Sequence, residues 1–536
     1  MPLEELGRRL FPASVPTEVE IPDWRVFDLL QHSMETYPDH DALIFYQARW
    51  TYQKLWQDAN RFARALQDRG IQPGDRIAVM LPNCPHYVIA YYGILLTGAI
   101  VTQVNPLLVE RELAELLSDS GSRTIVVWDA LLPRVEAVRA ETPLERVIGV
   151  SFQGQTASSD VEDFAELMAS ASRIVPEPVH VMADDVAVLQ YTGGTTGRSK
   201  GAMLTHRNLV ANVLQSSIFN QLYRGEERSL AVIPLFHVYG MTVVMNLGIH
   251  IGATIVLLPR FELTEVLDAI RQHHITLWPG VPTMYVALLQ VPGLDRGSVS
   301  SIRICNSGSA PMPVELIQQF EEETGAAVLE GYGLTEASPV THGHAPWMDR
   351  KPGTVGIAIP STGFRIVDPH TLNDLGPGEL GELWIRGPQV MKGYWNQPEE
   401  TQATLVDGVW LRTGDLASCD DDGYLTIMDR LKDLIIASGY NVYPREIEEV
   451  LYQHPGVLEA VVVGAPDPYR GETVRAIVVP KPGSDLNESA LKEYLVANLA
   501  AYKRPTIIEF RAELPKSAVG KILRRVVREE SVRFDS

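Results

Sequence analysis

Tyr191-Thr192-Gly193-Gly194-Thr195-Thr196-Gly197-Arg198-Ser199-Lys200-Gly201 is the stretch on which the fold turns. The apolar run Val186 to Leu189 enters it and reads as a buried strand. Ala202 to Leu204 leaves it as a second strand, and Thr205 is placed to cap a helix from His206. Glycines let the backbone take positive φ and come close to a ligand. Threonine and serine hydroxyls with bare N–H groups make a concave donor surface for an anion, and Lys200 adds positive charge. Such a loop fits the β- and γ-phosphates of a nucleotide; taken alone, it reads equally as a solvated turn. Two common phosphate loops are absent. Arg198, not lysine, follows Gly197, which excludes G-x-x-x-x-G-K-[ST]. Gly331-Tyr332-Gly333 runs on to Glu336, which excludes G-x-G-x-x-G. The partners of this loop must come from the rest of the chain.

At 536 residues the chain is long enough for two or more domains. Hydrophobic content of 45% and charged content of 21% suit a large soluble core. The formal charge of −21, from 46 basic and 67 acidic residues, argues against general nucleic-acid binding. Cys84, Cys305 and Cys419 lie far apart, with neither a disulfide framework nor metal-ligand spacing, which suits a reducing cytoplasmic location. Glu4, Glu5, Arg8 and Arg9 exclude the apolar core of a signal peptide. Val88–Val101 is too short to cross a bilayer. Met241–Leu258 is interrupted by Asn246, His250 and Gly252, and is expected to form a buried helix, a turn at Gly252 and a buried strand. No transmembrane segment is expected; peripheral membrane contact and a homodimer stay open.

Along the chain, Thr51 can cap a helix with Leu55, Ala59, Phe62, Ala63 and Leu66 inside and Gly70 at its end. Strands are expected at Arg76–Leu81, Ile100–Val104 and Thr124–Val127, and helices at Val88–Thr97 and Glu110–Ser118. This alternation predicts an α/β layer with a mostly parallel sheet. The polar run Gln153–Asp160 reads as a subdomain joint. Further strands are expected at Leu230–Ile233, Ala253–Leu258, Ile302–Cys305 and Val328–Leu329, with Pro279-Gly280-Val281-Pro282 as a turn. From about residue 352, short β-like runs (Phe364–Val367, Glu382–Ile385, Tyr424–Ile427) between Gly/Pro/Asp turns predict an antiparallel or barrel-like part. The last hundred or so residues read as a small α+β unit, with helices opened by Pro444 and Asn487.

Three apolar strands end in loops of unusual composition: 191–201, 306–311 and 330–336. In open α/β sheets ligands lie beyond the carboxyl ends of strands. If these loops converge, one site holds a phosphate cradle, small residues able to flank a flat base, and the pair Thr335–Glu336. Glu336 suits a Mg²⁺ ion bridging phosphates, and Thr335 a phosphate oxygen. Asp415, after the turn at Thr413-Gly414, can accept from both ribose hydroxyls; Arg430 can clamp ribose or phosphate. Singly, each reads as a surface group or a turn. Pro515-Lys516-Ser517-Ala518-Val519-Gly520-Lys521 sets a lysine beside a glycine, or is simply a basic tail.

Together and in this order, the Tyr191–Gly201 loop, Gly331–Glu336, Thr413–Asp415, Asp429–Asp433 with Gly439, and Pro515–Lys521 resemble the adenylate-forming superfamily of acyl-CoA synthetases, luciferases and peptide-synthetase adenylation domains. Within it, Pro234–Met241, Glu330–Pro339, Ser438–Glu446 and Pro466–Glu472 are similar to bacterial long-chain fatty acid–CoA ligases. The resemblance implies a large N-terminal domain, residues 1–430, whose β-rich part spans about 352–429. It also implies a small mobile C-terminal domain, 431–536, hinged at Lys432. It implies ATP, Mg²⁺ and CoA as reactants with a fatty acid: acyl-AMP and pyrophosphate form first, then the thioester and AMP. Lys521 would stabilise charge at the α-phosphate, Thr335 would touch that phosphate, and His237 would separate the acyl and nucleotide pockets. Glu336 and Thr195 would face Mg²⁺. Thr192, Gly193, Gly194, Thr195, Thr196, Gly197 and Lys200 would cradle phosphates. Gly308, Ser309, Ala310, Pro311, Gly331, Tyr332 and Gly333 would flank adenine. Asp415, Ile427, Arg430 and Lys432 would hold ribose and the hinge, and Gly439 and Tyr440 would reach CoA after rotation. Two departures stand out: Gly194 occupies a frequent serine position, which costs one possible hydroxyl donor and leaves the fold unaffected, and Asp429 replaces a common glycine before Arg430, with little consequence expected for that arginine. An aryl or short-chain acid on the same scaffold, or a non-catalytic acyl- or nucleotide-binding protein, are the alternatives.

Overall fold

The computed structural model describes residues 2–152, 154, 160–192, 199–291, 293–294, 296–310, 312–437, 440–467, 471–518 and 520–534. Gly193 to Gly197, Pro311 and Gly439 therefore lie outside the described residues.

Among the described residues, four sheets form. The first has eight strands in the order Gly393–Tyr394, Lys200–Thr205, Val186–Thr192, Ile100–Gln103, Arg76–Met80, Thr124–Trp128, Arg146–Val150 and Glu162–Asp163. It is parallel except where Lys200–Thr205 turns back on Val186–Thr192 and where Gly393–Tyr394 adds antiparallel at the edge. The second has nine strands, parallel from Asp41–Phe45 through Thr254–Leu257, Arg228–Ala231, Leu277–Gly280 and Ile304–Ser307 to Val328–Gly333. Its two ends are antiparallel.

Helices between these sheets carry the main core. The helix Tyr52–Asp68 is capped by the Thr51 side chain, which accepts from Lys54 N–H, and it buries Leu55, Ala59, Phe62, Ala63 and Leu66 as its periodicity predicts. The helix Pro85–Leu96 starts three residues earlier than the apolar run suggests, because Pro85 fits a first turn that needs no N–H. The helix His206–Phe219 opens on Thr205 in a reciprocal capping box with Asn208.

One expectation is corrected, one is refined, and one falls largely outside the described residues. Of Gln153–Asp160, read as a subdomain joint, residues 153 and 155–159 lie outside the described residues; the strands on either side, Arg146–Val150 and Glu162–Asp163, pair in one sheet. Pro279 and Gly280 continue a strand rather than turning, and Pro282 opens the helix Pro282–Leu289. The apolar stretch from Met241 does run through a buried helix, a turn at Gly252 (φ 71°) and a strand. Its helix, however, is π-wound over Gly240–Asn246 before becoming α over Leu247–His250.

The third sheet is antiparallel, built on the long strand Trp410–Cys419 with Gly381–Arg386, Gly363–Val367, Leu405–Val406 and Leu425–Arg430. A single 3₁₀ turn, Leu431–Asp433, then leads to the fourth sheet, in which the strand Gly471–Pro480 pairs with Val457–Asp467, Ile435–Ala437 and Ile507–Phe510. No helix of the described residues is long and apolar enough to cross a membrane. Cys84, Cys305 and Cys419 are all buried. Burial raises all three thiols, Cys84 and Cys419 to about 12.

Candidate active site

The three unusual loops do converge. Thr192, Ser199 and Lys200 from the first sheet meet Gly308, Ser309, Ala310, Gly331, Tyr332, Gly333, Thr335 and Glu336 from the carboxyl ends of the second around one cavity of about 1770 Å³. The third sheet adds Asp415, Ile427 and Arg430, the 3₁₀ turn adds Lys432, and the C-terminal segment adds Lys521. Tyr440 is not among them: it is exposed and stacks on Tyr502, with ring centroids 4.9 Å apart.

Asp415 follows Gly414, which holds φ at 70° so that the strand bends and the carboxylate turns into the cavity. One carboxylate oxygen pairs with Arg430 Nε at 3.0 Å, and the other accepts from the Tyr332 hydroxyl. The pair raises the Arg430 guanidinium above its usual value, chiefly through the Asp415 charge. Thr335 and Glu336 sit on a 3₁₀ turn, Thr335–Ala337, directly after the strand Val328–Gly333.

Two residues that sequence reasoning missed organise the acidic and basic groups here. The Tyr394 hydroxyl donates to Glu336 Oε1 at 2.8 Å, and Met391 N–H donates to the Glu336 carbonyl. Lys200 pairs with Glu400 and lies 5.2 Å from the Tyr394 ring centre. Tyr394 lies on the edge strand Gly393–Tyr394, which pairs with Ala202 and Met203, and Glu400 on the helix Pro398–Thr404 that follows it. The one local hint was the Gly393-Tyr394 dipeptide, too weak to read as a strand.

Lys521 comes from a tight turn. Gly520 N–H donates to the Ser517 carbonyl at 2.8 Å, Ser517 N–H to the Lys521 carbonyl at 2.8 Å, and Lys516 and Ile522 bridge across it. Gly520 takes φ 74°, and a Cβ there would lie 2.5 Å from Thr283 Oγ1, so the turn seats directly on the start of the helix Pro282–Leu289. Lys521 has an open face toward the cavity but lies deep within the protein. That depth, followed by the Arg430 guanidinium, lowers its ammonium to about 8. His237 lines the same cavity, and burial, then Lys521, pushes it down to about 4, so its imidazole is neutral at pH 7. Its Nδ1 accepts from Tyr239 N–H at 3.3 Å. Glu330, buried beside the site, is pushed up by burial to about 7 while accepting from Met312 N–H.

The cavity also has an apolar reach, past Phe236 and Val238 to Val243, Leu247, Val340 and Phe219. Gly331 and Gly343 face each other across an antiparallel pair there. Neither has positive φ, and a Cβ at Gly343 would meet only the Phe219 ring, at 3.5 Å. Phe219 is itself held edge-on by Phe11 and Trp347, at 6.0 and 5.5 Å. Backbone conformation therefore does not demand these glycines, and what they keep is open space.

The donor set suits Mg²⁺. That ion commonly takes one or two carboxylates and completes its shell with water and substrate phosphates. Glu336 has one oxygen fixed by Tyr394 and a second left for such a role. An ammonium, an arginine, a ribose-type carboxylate and a glycine-lined apolar slot around one cavity can bind a nucleotide triphosphate next to an acid with an apolar tail.

Residues 30–395 match the family described as AMP-binding enzyme, and residues 446–521 match the AMP-binding enzyme C-terminal domain. A long-chain-fatty-acid–CoA ligase of Bacillus subtilis (strain 168) is 45% identical over 543 residues, covering 97% of each chain. The solved structure of ATP-bound MatB from Rhodopseudomonas palustris has a TM-score of 0.89 and 31% identity, covering 96% of this chain and 100% of that one. The anthranilate CoA ligase AuaEII in complex with anthranoyl-AMP has a TM-score of 0.89 and 27% identity, covering 96% and 99%. With both family matches in chain order and the motif residues gathered on one cavity, the chain belongs to the AMP-binding enzyme family.

Proposed function

We propose that the protein is an ATP-dependent fatty acid–CoA ligase acting on medium- or long-chain acids. The observation that carries this reading is the meeting of Lys521 with Thr335, Glu336, Asp415 and Arg430 around a cavity that continues into an apolar, glycine-floored slot. The 45% identical relative named a long-chain-fatty-acid–CoA ligase supports it.

In the first step the fatty carboxylate attacks the α-phosphorus of ATP, and the bond to pyrophosphate breaks. Catalysis here is mainly positioning and charge stabilisation. Asp415 accepts from the ribose hydroxyls, with Arg430 and Tyr332 fixing its two oxygens in place. Thr335 donates to the α-phosphate. Lys521, protonated at pH 7, neutralises the charge that grows on that phosphate. Neutral His237 forms a wall between the acyl and nucleotide ends without adding charge. Glu336, oriented by Tyr394, would hold Mg²⁺, which when bound offsets phosphate charge.

In the second step the CoA thiol loses its proton, attacks the acyl carbonyl and expels AMP. Lys521 blocks the approach to that carbonyl, so residues 431–536 turn about Lys432 to withdraw it and bring the Gly439 segment up instead. An aryl-acid ligase is the second reading, favoured by the likeness to the anthranilate CoA ligase.

The test is incubation with MgATP, CoA and acids from acetate to palmitate plus a cinnamate, with pyrophosphate and thioester measured separately. Thioester peaking with medium or long chains is expected. A maximum at the cinnamate would replace this reading with the aryl one, and nucleotide binding without pyrophosphate release would make the protein a binder.

A further inference from the structure

Asp429 ends up with more to do than its place in the sequence suggests. It lies on the strand Leu425–Arg430, paired with Leu416, just before the turn Leu431–Asp433. It is only 8% exposed. One carboxylate oxygen accepts from Arg430 N–H at 2.9 Å, beside the cavity. The other reaches across the turn to accept from Arg445 N–H at 3.0 Å.

Arg445 is the second residue of the helix Pro444–Tyr452. That helix starts with a proline, which has no N–H, and its own N-cap residue, Tyr443, makes no side-chain cap bond. The cap is supplied by Asp429, a residue on the other side of the turn. The Arg445 guanidinium returns the contact by donating to the Ile427 carbonyl on the same strand as Asp429. Asp433 lies on the turn, and Glu448 and Arg524, paired with each other, lie on the helices packed against this contact. An uncapped, buried helix end is costly, so this contact favours one orientation of the two sheets over others.

We propose that Asp429 is a positioning residue for acyl-adenylate formation: by capping the helix Pro444–Tyr452 across the Lys432 turn, it latches the C-terminal sheet in the orientation that holds Lys521 in the cavity. The proposal rests on the two-step reading above. Residues 429 and 445 lie on opposite sides of the pivot, so the Asp429–Arg445 contact breaks when the C-terminal part turns for the second step. A glycine at 429 keeps the strand but loses the latch.

The test uses the full-length protein with Asp429→Ala and Asp429→Asn, because asparagine retains an oxygen acceptor for the cap. Acyl-AMP formation is timed without CoA, and thioester formation is timed from supplied acyl-AMP. The ratio of the first rate to the second should fall about two- to thirty-fold in Asp429→Ala, the scale of a lost cap, and stay within about two-fold of the parent in Asp429→Asn. A loss shared equally by both half-reactions, or an unchanged ratio in Asp429→Ala, would overturn the latch. So would an equal fall in Asp429→Asn. Limited trypsin digestion reads the latch without chemistry: cleavage after Arg430 or Lys432 should quicken by a similar factor in Asp429→Ala alone, and equal rates in all three proteins would also overturn it. If the parent protein makes no acyl-AMP from any acid, the ligase reading fails while digestion still decides the latch.

Discussion

Removing or titrating the Lys521 ammonium should slow one half-reaction and leave the other. The ammonium is driven down from 10.5 to about 8, first by burial and then by Arg430. Burial disfavours the charged form of a lysine, so the proton leaves at lower pH than in water. With a value of 8, about 90% of free enzyme carries the charge at pH 7 and about 10% at pH 9. The kcat/KM for ATP reports ionisations of the free enzyme, so it should drop about ten-fold between those pH values in the pyrophosphate-releasing step. Lys521→Ala should lose about 10²- to 10³-fold in that step, or about 2.7–4 kcal/mol, the cost of one transition-state donor, and its alkaline limb should vanish. Lys521→Arg keeps the charge at every accessible pH, so its profile should be flat from 7 to 9, at a lower rate because the fork is bulkier. The assay is pyrophosphate release without CoA, with ATP below KM, at stepped pH. An alkaline limb that persists in Lys521→Ala would refute the reasoning, as would equal loss of thioester formation from supplied acyl-AMP.

Tyr394→Phe removes the hydroxyl that fixes Glu336, and should raise the Mg²⁺ needed for half-maximal pyrophosphate release about ten-fold, the usual cost of losing a support behind a metal ligand; an unchanged Mg²⁺ titration would detach Tyr394 from that role. Gly343→Val fills the space in front of Phe219 and should cut kcat/KM for palmitate by about 10- to 200-fold while sparing the shortest accepted acids; an unaltered chain-length profile would mean the tail runs elsewhere. Thr205→Ala removes one half of a capping box at a buried helix start and should cost about 1 kcal/mol in urea unfolding, with no shift in chain-length preference.

Local chemistry made much of this fold legible. Thr51, Thr205 and Asn487 each cap the helix that their position announces. Apolar runs became parallel strands, and the turn-rich stretch after residue 352 became an antiparallel sheet. The loops carrying Thr335, Glu336, Asp415 and Arg430 were visible because strands that end in small and polar residues mark a ligand edge. Distant pairings were not visible. Tyr394 reaches the site because Gly393–Tyr394 adds to a sheet edge made nearly two hundred residues earlier, Glu400 follows on the helix Pro398–Thr404, and no local pattern encodes that. The reach of the Asp429 carboxylate was out of sight too, because its partner Arg445 lies on another element.

An enzyme that consumes CoA works beside a reactive thiol and the disulfides it forms on standing. Only a thiolate attacks a disulfide, and Cys84, Cys305 and Cys419 are both covered and held in the protonated form. The folded chain therefore has no partner to offer an oxidised carrier, and its reactant cannot become a covalent adduct of the catalyst. Any CoA or aromatic disulfide reagent found attached to the protein would report that a molecule had opened, turning three silent residues into a count of unfolding.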